Sequence, residues 1–297
     1  SYQSTNDDDN GLPDGAKVVY EHTLSSLTNL YLFTNKGNVI YRPVHELIET
    51  KWKETGQHLS QEIGLDSDEQ IIRVFVFDKL NTDCNFILAT NDGYIKQLEL
   101  ANLQPTRTYK SRAMTAIKLK GKDSYVVGVD LIKSDNHKEI TLFTHRAYAI
   151  RYDVSEIPTS GAKAVGVKSA NLKDDDYIVN YVLVDSKYVD LMHVGLITQR
   201  GAFKQFKLKL VNKVSRAKRG VLVLRELKNK PHRIVALMPY AQDHLLHVTT
   251  SSDRHVNIKT TDYPLGDRYS NGSFVIDTTV DGTPVSIELG RPISSQN

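Results

Sequence analysis

The chain has 297 residues, 40% apolar and 25% charged, a composition that supports a packed globular core and excludes collagen-like and disordered classes. No apolar run of about 18 residues occurs and Ser1 to Asn10 are polar and acidic, so the sequence reads with neither a membrane-spanning helix nor a secretory signal. Its 38 basic and 35 acidic side chains leave a net charge of +3, and the single cysteine, Cys84, allows no internal disulfide and fits a reducing, cytoplasmic setting.

In chain order, residues 1–27 read as the tail of a repeat whose first half lies upstream of Ser1, with one strand around Val18. An apolar strand ending in Thr and a tight turn then recurs as Leu30-Tyr-Leu-Phe-Thr34-Asn-Lys-Gly37, Phe86-Ile-Leu-Ala-Thr90-Asn-Asp-Gly93, Ile140-Thr-Leu-Phe-Thr144-His-Arg-Ala147 and Gly195-Leu-Ile-Thr198-Gln-Arg-Gly201. A weaker fifth copy is Leu246-His-Val-Thr-Thr250, and the Thr spacings are 56, 54, 54 and 52. Alternating residues follow each turn, as in Asn38-Val-Ile-Tyr-Arg42, Tyr94-Ile-Lys-Gln-Leu98 and Tyr148-Ala-Ile-Arg-Tyr152, the pattern of a half-buried strand. Gly at the third loop position supplies the positive φ of a hairpin with a G1 bulge. Ala147 and the Gly-free fifth turn break that rule, so those two tips are expected to differ in geometry.

A small residue precedes a third strand at Gly56, Ala113, Gly166, Gly220 and Gly272, and a fourth strand is marked by Val18, Ile72, Val126, Ile178, Ile234 and Val285. The runs Pro43 to Lys53 and Leu98 to Gln104 could each hold a helical turn. The repeats span approximately 28–80, 81–134, 135–187, 188–240 and 241–290. Four strands per repeat with no long amphipathic helix imply an all-β radial fold: five complete four-stranded blades plus a partial sixth, forming one domain over 1–297. The Gly-His and Trp-Asp signatures of WD40 blades are missing, and the only Trp is Trp52.

Charge segregates along the chain. Between Gln199 and Arg233 stand twelve basic residues, Arg200, Lys204, Lys207, Lys209, Lys213, Arg216, Lys218, Arg219, Arg225, Lys228, Lys230 and Arg233, against the single acid Glu226. The stretch is +11 and the remainder −8. Loops placed between second and third strands are basic in most repeats: Lys51 and Lys53; Arg107, Lys110, Arg112, Lys118, Lys120 and Lys122; Lys163 and Lys168; Lys213, Arg216, Lys218 and Arg219. One register of a ring would align them along one edge, the spacing that phosphate neutralisation needs. The turn before the fourth strand is mostly acidic (Asp14; Asp66, Asp68 and Glu69; Asp123; Asp174 to Asp176; Asp281), yet in the fourth repeat it is Lys228-Asn-Lys230-Pro231. The candidate DNA contacts are therefore these loop cations, Lys122 aside, together with Lys204, Lys207, Arg225, Lys228, Lys230 and Arg233, densest on the fourth repeat with the second next. Solvated surface charge is the plain alternative for any one of them. The acidic turns could steer DNA from the opposite edge or merely solubilise.

Other sites are weaker. Asp243, His244, His247 and His255 could be drawn as metal ligands, but pairing or surface histidines are the more economical reading. The fifteen tyrosines read as packing residues. Walker A and Gly-x-Ser-x-Gly motifs are missing.

The segments Phe33-Thr-Asn-Lys-Gly37, Pro43-Val-His-Glu-Leu47, Trp52-Lys-Glu-Thr-Gly-Gln-His58, Ala164-Val-Gly-Val-Lys-Ser169, Ala217-Lys-Arg-Gly220, Lys230-Pro-His-Arg-Ile-Val235 and Tyr269-Ser-Asn-Gly-Ser-Phe274 resemble the C-terminal domain of type IIA DNA topoisomerase A subunits, most closely the topoisomerase IV branch of Gram-positive bacteria. The resemblance implies a β-pinwheel, a propeller-like ring whose neighbouring blades exchange strands, that binds and bends double-stranded DNA without sequence preference. It also implies an upstream breakage-reunion domain carrying the catalytic Tyr, an ATPase B subunit, an A2B2 holoenzyme that uses ATP and Mg for decatenation and relaxation, and chromosome association, with no cofactor in this domain. The gyrase Gln-Arg-Arg-Gly-Gly-Lys-Gly box is missing, Lys218-Arg219-Gly220 being its nearest remnant, so gyrase-like wrapping is not expected. A propeller that binds an acidic protein, and an enzyme on a propeller scaffold, are the competing readings.

Overall fold

The computed structural model describes residues 28–44, 65–78 and 83–294. Val18, Asp14, Lys51, Lys53, Trp52, Gly56 and nearly all of the first candidate helical turn lie outside these residues. The first repeat contributes β1 (Asn29–Thr34), β2 (Asn38–Pro43) and β3 (Ile71–Phe77); the second β4 (Cys84–Thr90), β5 (Tyr94–Glu99), β6 (Met114–Thr115) and β7 (Val126–Lys133). The third supplies β8 (Lys138–Thr144), β9 (Tyr148–Asp153), β10 (Val167–Lys168) and β11 (Ile178–Asp185); the fourth β12 (His193–Thr198), β13 (Ala202–Lys207), β14 (Val221–Leu222) and β15 (Ile234–Tyr240). The fifth gives β16 (His244–Thr250), β17 (His255–Lys259), β18 (Leu265–Gly266), β19 (Ser273–Phe274) and β20 (Pro284–Pro292). The second candidate helical turn forms as a 3-10 turn at Leu100–Leu103.

Among the described residues, none of the second to fifth repeats keeps all its strands. The sheets are ordered β3-β1-β2-β6, β10-β5-β4-β7, β11-β8-β9-β14, β15-β12-β13-β18 with β19 also on β13, and β17-β16-β20. Each two-residue third strand therefore completes the sheet of the repeat before it. The fifth sheet has three strands among the described residues rather than the four expected. The chain divides into two compact units, Ser1–Asn136 with Ile157–Lys168, and His137–Glu156 with Ser169–Asn297. Ile157–Lys168 belongs to the first unit because β10 pairs with β5.

Of the second strands, expected to be half-buried, β2 is buried at all but its first residue and β5 at all but its two ends, while β9 is buried at three of six positions; the apolar first strands β1, β4 and β12 are buried almost throughout. Alternation still sorts side chains between the faces. In the first unit Tyr31 and Phe33 of β1 face a core shared with Phe86, Leu88 and Leu131 of the second sheet, while Leu30 and Leu32 pack with Ile40, Val74 and Val76 on the other side. Phe86 is the hub, its ring centroid 4.7 Å from that of Phe33 and 5.3 Å from that of Phe75. In the second unit Val194, Leu196 and Phe206 face Phe143 and Val182, and Ile197 and Phe203 face Leu246, Val248 and Ile276.

The repeated Thr closes each hairpin. Its carbonyl accepts the N–H three residues on, at 3.2 Å for Gly37, 3.3 Å for Gly93, 2.9 Å for Ala147 and Gly201, and 3.0 Å for Asp253. Its hydroxyl oxygen accepts the N–H that opens the next strand, from Asn38, Tyr94, Tyr148, Ala202 and Arg254. The two Gly-free tips keep this geometry, contrary to expectation: Ala147 has φ 75° and Asp253 φ 56°, beside 83° for Gly37 and Gly201. The paired strands impose the left-handed conformation and a side chain tolerates it at modest cost.

Two outcomes follow from this packing. Phe86→Ala is expected to lower the unfolding free energy by about 3–5 kcal/mol, measured by urea denaturation with an unchanged m-value. The Cys84 thiol is buried and its pKa raised, chiefly by desolvation, so it is expected to react with a thiol reagent only on unfolding; stoichiometric labelling of the native chain would contradict the packing described.

Candidate nucleic-acid interface

A hairpin tip in this fold sits beside the turn that leads into its own fourth strand, because the first and fourth strands are antiparallel neighbours. The residue after each Thr ties the two together. Asn35 donates to the Asp68 carbonyl and accepts from Gln70 N–H at 2.7 Å; Asn91 does the same with Asp123 and Tyr125; Gln199 does so with Pro231 and Arg233. Tips and turns thus form rigid platforms.

Most platforms carry carboxylates in structural use. At the first, Glu69 accepts from the Thr34 hydroxyl at 2.6 Å and Asn38 Nδ2 at 2.7 Å, and Lys36 pairs with Asp68 at 3.0 Å. At the second, Asp92 accepts from the hydroxyls of Thr90 and Ser124, both at 2.6 Å. At the third, Asp176 accepts the Arg146 and Tyr177 N–H groups. Of the acidic turns, Glu69, Asp68 and Asp176 thus bind the hairpin tips directly, whereas at the second tip the carboxylate in use is Asp92 of the tip itself. At the fourth, His232 stands where Glu69 stands, 5% exposed, its Nδ1 3.0 Å from Thr198 Oγ1 and its Nε2 3.3 Å from Arg200 Nη1. A guanidinium can only donate, so Nε2 accepts and Nδ1 carries the proton. Burial foremost, with the Arg200 charge, lowers the imidazole pKa, and the ring is neutral at neutral pH. Arg200, Lys228 and Lys230 are left with no carboxylate fastening this tip.

The loops from second to third strand are pinned by buried or half-buried cations, of which the sequence singled out only Lys204, and as a DNA contact. Arg42 donates to the Tyr109 carbonyl at 2.7 Å and the Lys110 carbonyl at 2.9 Å. Lys96, with no exposed surface, donates to the Ala116, Ala162 and Ala164 carbonyls. Arg151 donates to the Val211 carbonyl at 2.7 Å and pairs with Glu139 at 2.8 Å. Lys204 donates to the carbonyls of Val223, Arg268 and Ser270 at 2.6, 2.8 and 2.7 Å. In each case a cation on one repeat's second strand holds the basic loop of the next.

Lys204 therefore leaves the set of DNA contacts: it is 3% exposed and its three ammonium protons are spent on backbone. Desolvation, foremost, and the neighbouring Arg268 charge lower its pKa to about 7, and burial alone lowers that of Lys96 to about 8; the carbonyl acceptors favour the charged forms. A Lys in an apolar strand was the available signal, obscured because both faces of that strand are covered.

The remaining candidates separate by what already holds them. Lys213 pairs with Asp153 at 2.8 Å, and Arg233 makes a two-pronged pair with Glu226 at 3.0 and 3.2 Å. Arg216 donates to the Glu156 carbonyl and Arg219 to that of Asn171; Lys207 is half-buried. Lys120 donates to the Tyr94 hydroxyl at 2.6 Å. It follows β6, as do Lys118 and Lys122, so these three sit between third and fourth strands, and Lys168 lies within β10. Arg107, Lys110, Arg112, Lys118, Lys163 and Lys168 are exposed on the first unit. In the second unit Lys218, Arg225, Lys228 and Lys230 are exposed with no side-chain ion pair. They line the connection running from the tip of the third sheet, where Val223 N–H bonds the Ala147 carbonyl, to the tip of the fourth.

The histidines are engaged separately: His244 Nδ1 with the Gly290 carbonyl, His247 with Asn257 and His255 with Thr249. No group of three metal-ligating side chains forms among the described residues. Tyr31, Tyr152 and Tyr240 are buried and donate to Leu103, Ser169 and Gln205, the packing role expected of them.

A family model described as DNA gyrase C-terminal domain, beta-propeller, matches residues 28–78, 85–133, 138–184 and 196–240, one match per repeat. The chain is 35% identical to the A subunit of DNA topoisomerase 4 from Bacillus subtilis (strain 168) over 97% of its length and 34% of the relative's. It is 37% identical to the counterpart from Streptococcus pneumoniae serotype 4 over 91% and 34%. It spans about a third of these curated relatives. A crystal structure of the C-terminal domain of DNA topoisomerase IV superposes with a TM-score of 0.81 at 40% identity, over 90% of this chain and 80% of that one. The chain thus belongs to the DNA gyrase A C-terminal domain, beta-propeller family, and within it is similar to the C-terminal domain of the topoisomerase IV A subunit.

Proposed function

We propose that this chain is a non-catalytic module that binds duplex DNA through its phosphates and bends it. The observation that carries the reading is the reversed sign of the fourth tip, where Arg200, Lys228 and Lys230 stand without the carboxylates that fasten the other tips, at the end of a connection bearing Lys218 and Arg225. Unpaired cations in a row on one rigid edge can each release a counterion from DNA, which binds without reading bases. The exposed first-unit cations are a second contact region. Within the longer protein, the module guides DNA crossing geometry for ATP-dependent decatenation and relaxation. The catalytic Tyr lies in an upstream breakage-reunion domain and ATP on a B subunit of an A2B2 enzyme associated with the chromosome in the cytoplasm. This module itself needs no cofactor. An acidic protein partner would exploit the same cations, and a duplex of about 40 base pairs distinguishes the two.

Replacing Lys218, Arg225, Lys228 and Lys230 with Gln is expected to weaken duplex binding and flatten the log–log salt dependence by about 0.9 per lost phosphate contact, or roughly 3 to 4 in all. Lys187 and Lys259, at the sheet ends away from the tips, should leave the slope unchanged when replaced. Failure of the unaltered chain to bind duplex at about 50 mM salt would remove the proposal. Lys204→Met should behave differently from both sets, lowering the unfolding free energy by about 3 kcal/mol because buried carbonyls lose their donor, while the slope of the folded variant stays within one phosphate of the original.

A further inference from the structure

Phe274 is 63% exposed, the most exposed aromatic side chain among the described residues. A lone apolar side chain on a surface is ordinary; its surroundings here are not. β19 holds Phe274 opposite Ala202 on the edge of β13, directly on the fourth tip, and the Val275 N–H bonds the Gly201 carbonyl at 2.9 Å. The approach is so close that a Cβ on Gly272 would meet the Phe203 carbonyl at 2.0 Å. The backbone beneath the ring is thus fixed on both sides. Arg200 lies 5.3 Å from the ring centroid and the His232 ring 5.7 Å, tilted by 44°, and Arg200 in turn donates to the Lys230 carbonyl at 2.8 Å. The third-strand positions equivalent to Phe274 carry Thr115, Lys168 and Leu222, so among these four positions only this one carries an aromatic ring.

A rigid aromatic ring set among cations does not suit an apolar protein surface, which would have to bury Arg200 and Lys230 with it. It does suit a polyanion that has π-faces: the cations take phosphates and the ring takes a base. Resting on the reading of this chain as a DNA-binding module, we propose that Phe274 is a wedge that enters a base step of the bound duplex and unstacks it, so that the bend is concentrated as a kink at the fourth tip. Apolar wedges of this kind offset the cost of unstacking with the wider contact that a kinked duplex allows, and stacking on an aromatic face tolerates any base, consistent with binding that does not read sequence.

The probe is a duplex of about 40 base pairs with 2-aminopurine at a central TA step, compared with the same duplex carrying a two-base mismatch there. Unaltered protein is expected to raise 2-aminopurine fluorescence on binding and to prefer the mismatched duplex about tenfold, since its unstacking is already complete. Phe274→Ala should lose both effects and reduce the bend read by end-to-end energy transfer, with its melting temperature and salt slope unchanged. Phe274→Lys separates a wedge from a charged rim: it should steepen the salt slope by about 0.9 and still lose the fluorescence rise. If the chain binds duplex but gives no fluorescence rise, or Phe274→Ala keeps it, the wedge is overturned and the binding module stands. If the chain binds no duplex, both proposals fall.

Discussion

The exchange of third strands is the constraint from which the rest of this structure follows. A two-residue strand contributes few ladder bonds of its own, yet in the second to fifth repeats it closes the preceding sheet, and the loop that leads to it is thereby fixed to a neighbour rather than to its own repeat. What makes such a short strand sufficient is the buried cation beneath it. Arg42, Lys96, Arg151 and Lys204 each direct their N–H groups at loop carbonyls that no strand satisfies. A charge removed from water is tolerated only when its donors are all met. Lys96 and Lys204 meet that condition with a carbonyl for every ammonium proton, and Arg151 adds the Glu139 carboxylate to its loop carbonyl, so the loops that carry the exposed basic residues are held in place.

The electrostatics divide accordingly. Positive charge is used twice, once inside to bind the repeats together and once outside where it is left unpaired. Negative charge is put to use at the first three tips, where Glu69, Asp92 and Asp176 satisfy hydroxyl and amide donors. The fourth tip performs that fastening with the neutral ring of His232, so closing the hairpin costs no negative charge there. A net charge of +3 conceals this arrangement, in which one edge of the second unit gathers cations that nothing in the fold neutralises.

The described strands and their order were legible from periodicity: the Thr-ended hairpins, the small residues Ala113, Gly166, Gly220 and Gly272 before third strands, and the fourth strands at Val126, Ile178 and Ile234 fall where the spacing puts them. The geometry of the tips was only partly legible. Ala147 and Asp253 adopt the conformation that composition reserves for Gly, because two paired strands outweigh a local preference of about 1 kcal/mol. The division of the lysines was not legible. Lys204 and Lys230 are the same residue type within one basic run, but one lies in a strand covered on both faces and the other at an open turn.

The sequence by itself determined that the chain is a string of all-β repeats, where each hairpin closes, and which repeat is anomalous in charge, since these depend on patterns along the chain. Tertiary structure alone decided which sheet each third strand joins, which cations are interior anchors and which are free, and that Phe274 stands beside Arg200 and His232 from another repeat. Those outcomes depend on contacts between residues tens of positions apart, and no local pattern specifies a partner that exchange places in the neighbouring repeat.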